Sequence, residues 1–167
     1  LQKSRKTFWF ERFAWFISSD NYLVLGGKDA QQNELLVKRY MRPQDAYVHA
    51  EISGAASVIV CNHLDYDLPQ RTLTEAGNLA VCMSRAWEAK IVVGAWWVKP
   101  EQVSKTAPSG EYLGTGSFMI RGQKHFLPPA TLQLGFGFLC YTEDDALVLR
   151  RREKRTLRED IRRQAFA

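Results

Sequence analysis

The 167-residue chain is poor in several things that would have pointed to familiar chemistry. Cysteine occurs three times, at positions 61, 82 and 140; an odd, widely spaced set excludes a disulfide framework and suits a reducing compartment. There is no CxxC pair, and Cys61-Asn62-His63 offers only two soft ligands, so we expect no metal and read buried thiols beside a loop histidine. No G-x-S-x-G, Walker A or helix-opening G-x-G-x-x-G occurs, which removes the common hydrolase and nucleotide-binding signatures; we expect no cofactor. No apolar run approaches the roughly 18 to 20 residues that span a bilayer, and no export segment follows the basic start Leu1-Gln2-Lys3-Ser4-Arg5-Lys6. The chain opens on Leu rather than Met, which reads as a piece of something longer.

Apolar residues are plentiful at 46%, and aromatics at 12% include five Trp and nine Phe, enough for one well-filled core. The formal charge is +5. Residues 150–163 carry eight basic and three acidic groups, so this tail holds the whole excess and the remainder sums to zero. Attraction of the body to a polyanion must therefore come from local patches.

Apolar spacing predicts an opening hairpin, Phe13–Ile17 and Tyr22–Leu25 around Ser18-Ser19-Asp20-Asn21. Gly26-Gly27 breaks the strand, and Asp29 with Gln32 three positions on marks a capped helix with Leu35, Leu36 and Tyr40 inward, ending at Arg42-Pro43. The Gly26-Gly27-Lys28 stretch before that helix offers either an anion contact through free N–H groups or a plain turn. From Asp45 to Ile52 the chain alternates. Ala46, Val48, Ala50 and Ile52 form an apolar face, and Asp45, Tyr47, His49 and Glu51 a polar, solvent-facing one. Ser57–Cys61 reads as its sheet neighbour. Thr72-Leu73-Thr74-Glu75 predicts a capping box opening a helix over 72–88, with Leu73, Ala76, Ala80, Met83 and Trp87 buried. Strands follow at Ile91–Val98, Phe118–Arg121 and Lys124–Leu127, with a turn-rich loop at 104–110, and Leu132–Cys140 alternates as a half-buried strand. The expected fold class is α+β, a mixed, largely antiparallel sheet with two main helices packed on it.

Two constellations could carry function. The row Asp45, Tyr47, His49, Glu51, with alternate residues about 7 Å apart, could move protons, but it has no nucleophile beside it, so we expect no catalytic residue and no enzyme. Basic residues interleaved with aromatics are the other: Trp96 and Trp97 by Lys99 and Lys105, and Phe118, Arg121, Lys124 and Phe126 together. A surface of Lys28, Lys38, Arg39, Arg42, Lys99, Lys105, Arg121 and Lys124 would suit the phosphates of structured RNA; scattered solubilising charge is the other reading.

Four segments, Gly26-Gly27-Lys28-Asp29-Ala30-Gln31-Gln32-Asn33-Glu34, Asp45-Ala46-Tyr47-Val48-His49-Ala50, Thr72–Gly77 and Val103–Leu113, resemble, in order, the NFACT RNA-binding domain family over residues from about 8 to 141. The resemblance implies a domain at 8–149, the end of a preceding coiled coil at 1–7 and a basic tail at 150–167. It implies a polar surface of Gln32, Asn33, Asp45 and Tyr47 together with Lys28 and Lys105, with His49 among the nucleic-acid contacts. Proteins with this domain bind the large ribosomal subunit while a nascent chain is still attached to tRNA. They help recruit the ubiquitin ligase listerin and bring aminoacyl-tRNA for untemplated carboxy-terminal tailing with alanine and threonine. The implied location is the cytoplasm, with the nucleus as a further one, and no membrane is involved. The competing function is a protein-interaction module meeting ribosomal protein, the ligase or another part of the same chain. Tyr47 and Ser57 stand where bacterial members commonly carry Trp and His.

Overall fold

The computed structural model describes residues 7–64, 66–107 and 110–138. The hairpin forms as expected. Strands β1 (Ala14–Ile17) and β2 (Leu23–Gly26) pair antiparallel across a turn in which Asn21 takes φ 69°, a left-handed position that asparagine tolerates. Strands β3 (Ala46–Ala50), β4 (Val58–Cys61), β5 (Ala95–Val98) and β8 (His125–Phe126) complete a six-stranded sheet in the order β1-β2-β4-β3-β5-β8. Between the last two, β6 (Val103–Ser104) and β7 (Met119–Ile120) make a separate two-stranded sheet. Every described pairing is antiparallel. The helices are α1 (Ala30–Leu35), widening into a π turn over Leu36–Tyr40, then α2 (Gln70–Cys82) and the short α3 (Ala86–Ala89). All these elements lie in one compact unit, residues 1–134; of the second unit, 135–167, residues 135–138 are described, with the Phe136 and Phe138 rings exposed.

Register explains the layers. Val48 lies opposite Val58 and Ala46 opposite Val60, so these residues share one sheet face, where they pack with Leu73, Ala76 and Ala80 of α2. Removing each large aliphatic side chain from water there contributes about 1.5–3 kcal/mol. Gly77 lets α2 come this close, because a Cβ on it would lie 2.8 Å from Leu127 Cδ1 and 3.2 Å from Ala95 Cβ. The opposite face begins with Leu25 and Ile59 under Phe13 and Leu36, and continues with Tyr47, Trp96 and Val98 against Val37, Met41, Val103 and Ile120. Strand β3 is thus covered on both sides. Its polar row is only partly solvent-facing: Glu51, just past the strand, is exposed and His49 half-buried, but Tyr47 is 2% exposed, and Asp45 lies just before the strand, buried, accepting from the N–H groups of Arg42 and Asn62 at 2.7 and 2.8 Å.

Four other expectations are corrected. No capping box forms at Thr72: α2 starts two residues earlier, after Pro69, whose extended backbone (φ −61°, ψ 136°) already sets up the first turn. Thr72 instead receives the Ser18 hydroxyl at 2.9 Å and donates to Asp20, while Glu75 accepts from Ser19 N–H, tying the hairpin turn to the helix. The helix also ends early. Ser84 Oγ donates to Val81 C=O and accepts from Ala86 N–H, competing with the helical ladder, and Trp87 Nε1 reaches back to Cys82 C=O. Strand β5 starts only at Ala95. Residues 131–138 form no strand: the carbonyls of Thr131 and Gln133 face Cys82 Sγ rather than a neighbouring strand, and Cys140 lies outside the described residues. The tail at 150–167 and residues 1–6 also lie outside them.

Candidate nucleic-acid interface

Tyr47, His49 and Trp96 point the same way, because β3 and β5 place His49 opposite Trp96 and Tyr47 opposite Val98. These three rings floor a cleft of about 790 Å³. Gly27, Lys28, Ala30 and Asn33 line it together with Thr115–Ile120, Gly116 lying against Ala30, and Lys124 is exposed at its edge. The rings form a continuous row. Tyr47 and His49 lie nearly parallel at 6.3 Å, His49 sits 5.5 Å from Trp96, and Phe118 meets Tyr47 edge-on at 6.2 Å. Lys124 Nζ lies over Trp96, 4.2 Å from the ring centroid.

A buried polar chain supports the floor. Asn33 Oδ1 accepts from Ser57 N–H at 3.1 Å, Ser57 and Tyr47 share a hydroxyl–hydroxyl bond of 2.9 Å, and Ser57 C=O accepts from Gly27 N–H at 3.1 Å. Tyr47 and Ser57 are therefore partners. Gly27 makes room for the chain: a Cβ there would fall 2.0 Å from Asn33 Oδ1. The space beside Gly26-Gly27 is thus filled by an asparagine of this chain rather than left to an anion. The Asp29 cap does form, with Asp29 Oδ1 accepting from Gln32 N–H at 2.7 Å and Gln32 Oε1 accepting from Lys28 N–H at 3.2 Å.

Burial holds the Tyr47 hydroxyl protonated, pushing it up to about 12. His49 donates Nδ1–H to Ala50 C=O at 2.6 Å; burial pulls its pKa below the usual 6.5, with the Lys124 charge adding to this and the Ala50 and Ala55 backbone opposing it. At neutral pH His49 offers hydrogen bonds and a ring, not a positive charge.

The cations divide. Lys28 and Lys124 are exposed on the cleft. Lys38 and Lys105 are held by one carboxylate, Glu34, at 2.7 and 2.8 Å. Arg39 lies over Tyr40 with its guanidinium 5.9 Å from the ring, and Arg42 is exposed beside the Asp45-anchored turn. Lys99 and Arg121 are exposed and joined through Gln102, which accepts from Lys99 N–H and donates to Arg121 C=O. Of the expected site residues, the cleft therefore gathers Lys28, Asn33, Tyr47, His49 and Lys124; Gln32, Lys38, Arg39, Arg42, Asp45, Lys99, Lys105 and Arg121 lie outside its lining. Sequence reasoning missed Ser57 and Glu34. The Glu34–Lys38 pair was readable as i,i+4 spacing; the Glu34–Lys105 pair, 71 residues apart in sequence, carried no local signal. His63 lies tilted against Tyr22 with ring centroids 5.0 Å apart, and Cys61, its thiol pushed up to about 12 by burial, sits on β4.

A family model described as NFACT protein RNA binding domain matches residues 12–122. Ribosome quality control complex subunit NEMF of Mus musculus is 57% identical over 158 residues, covering 95% of this chain and 15% of the mouse protein. The NEMF homolog of Drosophila melanogaster is 59% identical over 162 residues, covering 96% of this chain and 16% of its own length. The chain thus spans about 15% of the length of such relatives. The C-terminal structure of the fibronectin/fibrinogen-binding protein from Streptococcus suis superposes with a TM-score of 0.57 at 19% identity, over 77% of this chain and 50% of that one, a likeness of fold. With most of its body matched and a relative of this identity aligned over nearly its whole length, the chain belongs to the NFACT RNA-binding domain family.

Proposed function

We propose that this chain is the RNA-contacting module of a ribosome quality control subunit. In that role it binds the large ribosomal subunit and tRNA on stalled nascent chains, in the cytoplasm. Through its parent protein it supports alanine and threonine tailing and recruitment of the ligase listerin. In this reading it binds rather than catalyses, which is supported by the Cys61 thiol and Tyr47 phenol, each pushed up to about 12 and so protonated at neutral pH. The observation that carries the reading is the cleft itself, with Lys28 and Lys124 exposed at its edge and the half-buried rings of His49 and Phe118 above the buried Tyr47 and Trp96, which joins phosphate-neutralising charge to rings that a base can reach.

The test is a salt titration of binding to tRNA and to large subunits. Each phosphate contact contributes about 0.7–0.9 to the slope of log affinity against log salt. Lys28→Glu and Lys124→Glu should weaken binding and flatten that slope, and Lys99→Glu with Arg121→Glu should do so less. Unchanged affinity in the cleft variants removes the cleft as the interface. A protein-contact reading draws on the exposed apolar group Trp87, Ile91 and Val92, the last 80% exposed. It predicts weak salt dependence and loss of binding to ribosomal protein in Val92→Asp.

A further inference from the structure

One wall of the cleft belongs to a loop, and that loop is fastened by two side chains, Glu34 and Lys105. Glu34 Oε2 accepts from Gly116 N–H at 2.8 Å and from Lys105 Nζ at 2.8 Å, and Glu34 Oε1 takes Lys38 Nζ at 2.7 Å. Lys105 has further partners. The same ammonium donates to Gly114 C=O at 2.6 Å and Ser117 C=O at 3.1 Å, and lies 5.0 Å from the centroid of Phe118. An ammonium has three protons, and here all three have acceptors within the chain. Its side chain is 10% exposed, against 47% for Lys38. The Glu34 carboxyl is held down to about 2, chiefly by Lys105, then by Lys38 and Gly116, so it stays charged throughout the neutral range.

We propose that Glu34 and Lys105 are positioning residues for RNA binding: together they clamp loop 114–118 as the standing wall of the cleft, and Lys105 touches no phosphate. This rests on the cleft being the RNA site. Phe118, carried by the clamped loop, is the ring that meets Tyr47 edge-on, so the clamp also completes the aromatic floor.

The proposal makes an unusual demand. Removing an acid beside a polyanion site ordinarily tightens binding, because local charge becomes more positive and two lysines are released. A clamp predicts the opposite, since a loosened loop must be ordered again on binding.

The experiment uses the 167-residue chain with Glu34→Gln and Lys105→Met, and Lys124→Gln as the contact control. Amide hydrogen exchange of residues 114–118 is read without RNA, and tRNA affinity is read across salt. For both clamp variants we expect faster exchange at Gly116 and about three- to tenfold weaker binding with an unaltered salt slope, whereas Lys124→Gln lowers the slope by about 0.7–0.9. Tighter binding by Glu34→Gln with a steeper slope would mean that Glu34 only masks cations, and a slope reduced by Lys105→Met would make Lys105 a phosphate contact; either overturns the proposal. Unchanged exchange at Gly116 in both variants overturns it as well. If the unaltered chain does not bind tRNA, the function proposed above fails, and the exchange result still decides whether the clamp exists. Tryptophan fluorescence melts confirm that each variant is folded, and Lys105→Met, which keeps an apolar stem against Phe118, guards against collapse of the wall.

Discussion

Gly27→Ala tests the polar support of the cleft most directly. The added methyl would fall 2.0 Å from Asn33 Oδ1, 2.8 Å from Asn33 N and 3.0 Å from Asn33 Cα, so the Asn33 side chain must leave and its backbone must shift. Losing Oδ1 strands the buried Ser57 N–H, which costs about 1–3 kcal/mol. Overpacking against backbone adds about 1–3 kcal/mol. The smaller entropy of the unfolded alanine chain returns about 0.4–1 kcal/mol. The net expectation is about 1–5.6 kcal/mol, centred above the roughly 1–3 kcal/mol for Asn33→Ala, which loses the hydrogen bond without the clash. Urea unfolding followed by tryptophan fluorescence gives both values. The double variant should cost less than the sum of the two, because the worst contact disappears with the amide, while the 2.8 Å contact with backbone remains. Gly27→Ala within about 0.5 kcal/mol of the parent, or single effects that simply add, would refute the account.

Tyr47→Phe removes the hydroxyl shared with Ser57 and should cost about 1–2 kcal/mol in the same assay; ultraviolet difference titration of parent against variant should place the Tyr47 ionisation at about 12. Acid should destabilise the fold with a defined sign. Glu34 falls from 4.5 to about 2 on folding, so its contribution is complete above 4.5 and drains away as pH drops towards 2, and Glu34→Gln should flatten stability against pH in that window. His49, lowered from 6.5, contributes fully above 6.5 and loses its share as pH falls, which proton NMR of its ring should show as a midpoint below 6.5. Asp45 acts in the other direction: burial raises it from 3.8, so protonation relieves a cost, and the acid loss in Asp45→Asn should be steeper than in the parent.

The elements legible in sequence are those whose signals are local. The Ser18–Asn21 turn, the Asp29–Gln32 cap and the Leu73, Ala76 and Ala80 part of the α2 stripe need only their neighbours and stand as their spacing implies, whereas Trp87, the stripe's last expected member, lies beyond the end of α2 and is exposed. Thr72 and Glu75 show where locality fails. They carry a cap's residue types, but the hairpin turn some 50 residues upstream claims both side chains. The polar face of β3 fails in the same way, because alternation reports two faces and not what covers each. Its cover, Val103 and Ile120, comes from a part of the chain that sequence periodicity does not connect to it. For the cleft, residue types were readable and partners were not. Lys105 and Lys124 look alike in sequence, yet one is saturated by Glu34 and two carbonyls while the other lies over Trp96 and is exposed at the rim.

Strands β5 and β8 are neighbours, with Trp96 opposite Phe126, so everything from Val98 to Lys124 is topologically the loop of a single hairpin. The chain leaves the sheet, builds the second small sheet and the clamped segment, and returns beside its point of departure. Closing a longer loop adds only about 0.6 kcal/mol for each doubling of its length, so this excursion could grow or shrink at little thermodynamic expense while the six-stranded sheet kept its register. Recognition is thereby carried on a part that can be exchanged on one condition: a graft between Val98 and His125 would alter what the cleft admits, and must still supply the apolar cover that Val103 and Ile120 give Tyr47, Trp96 and Val98.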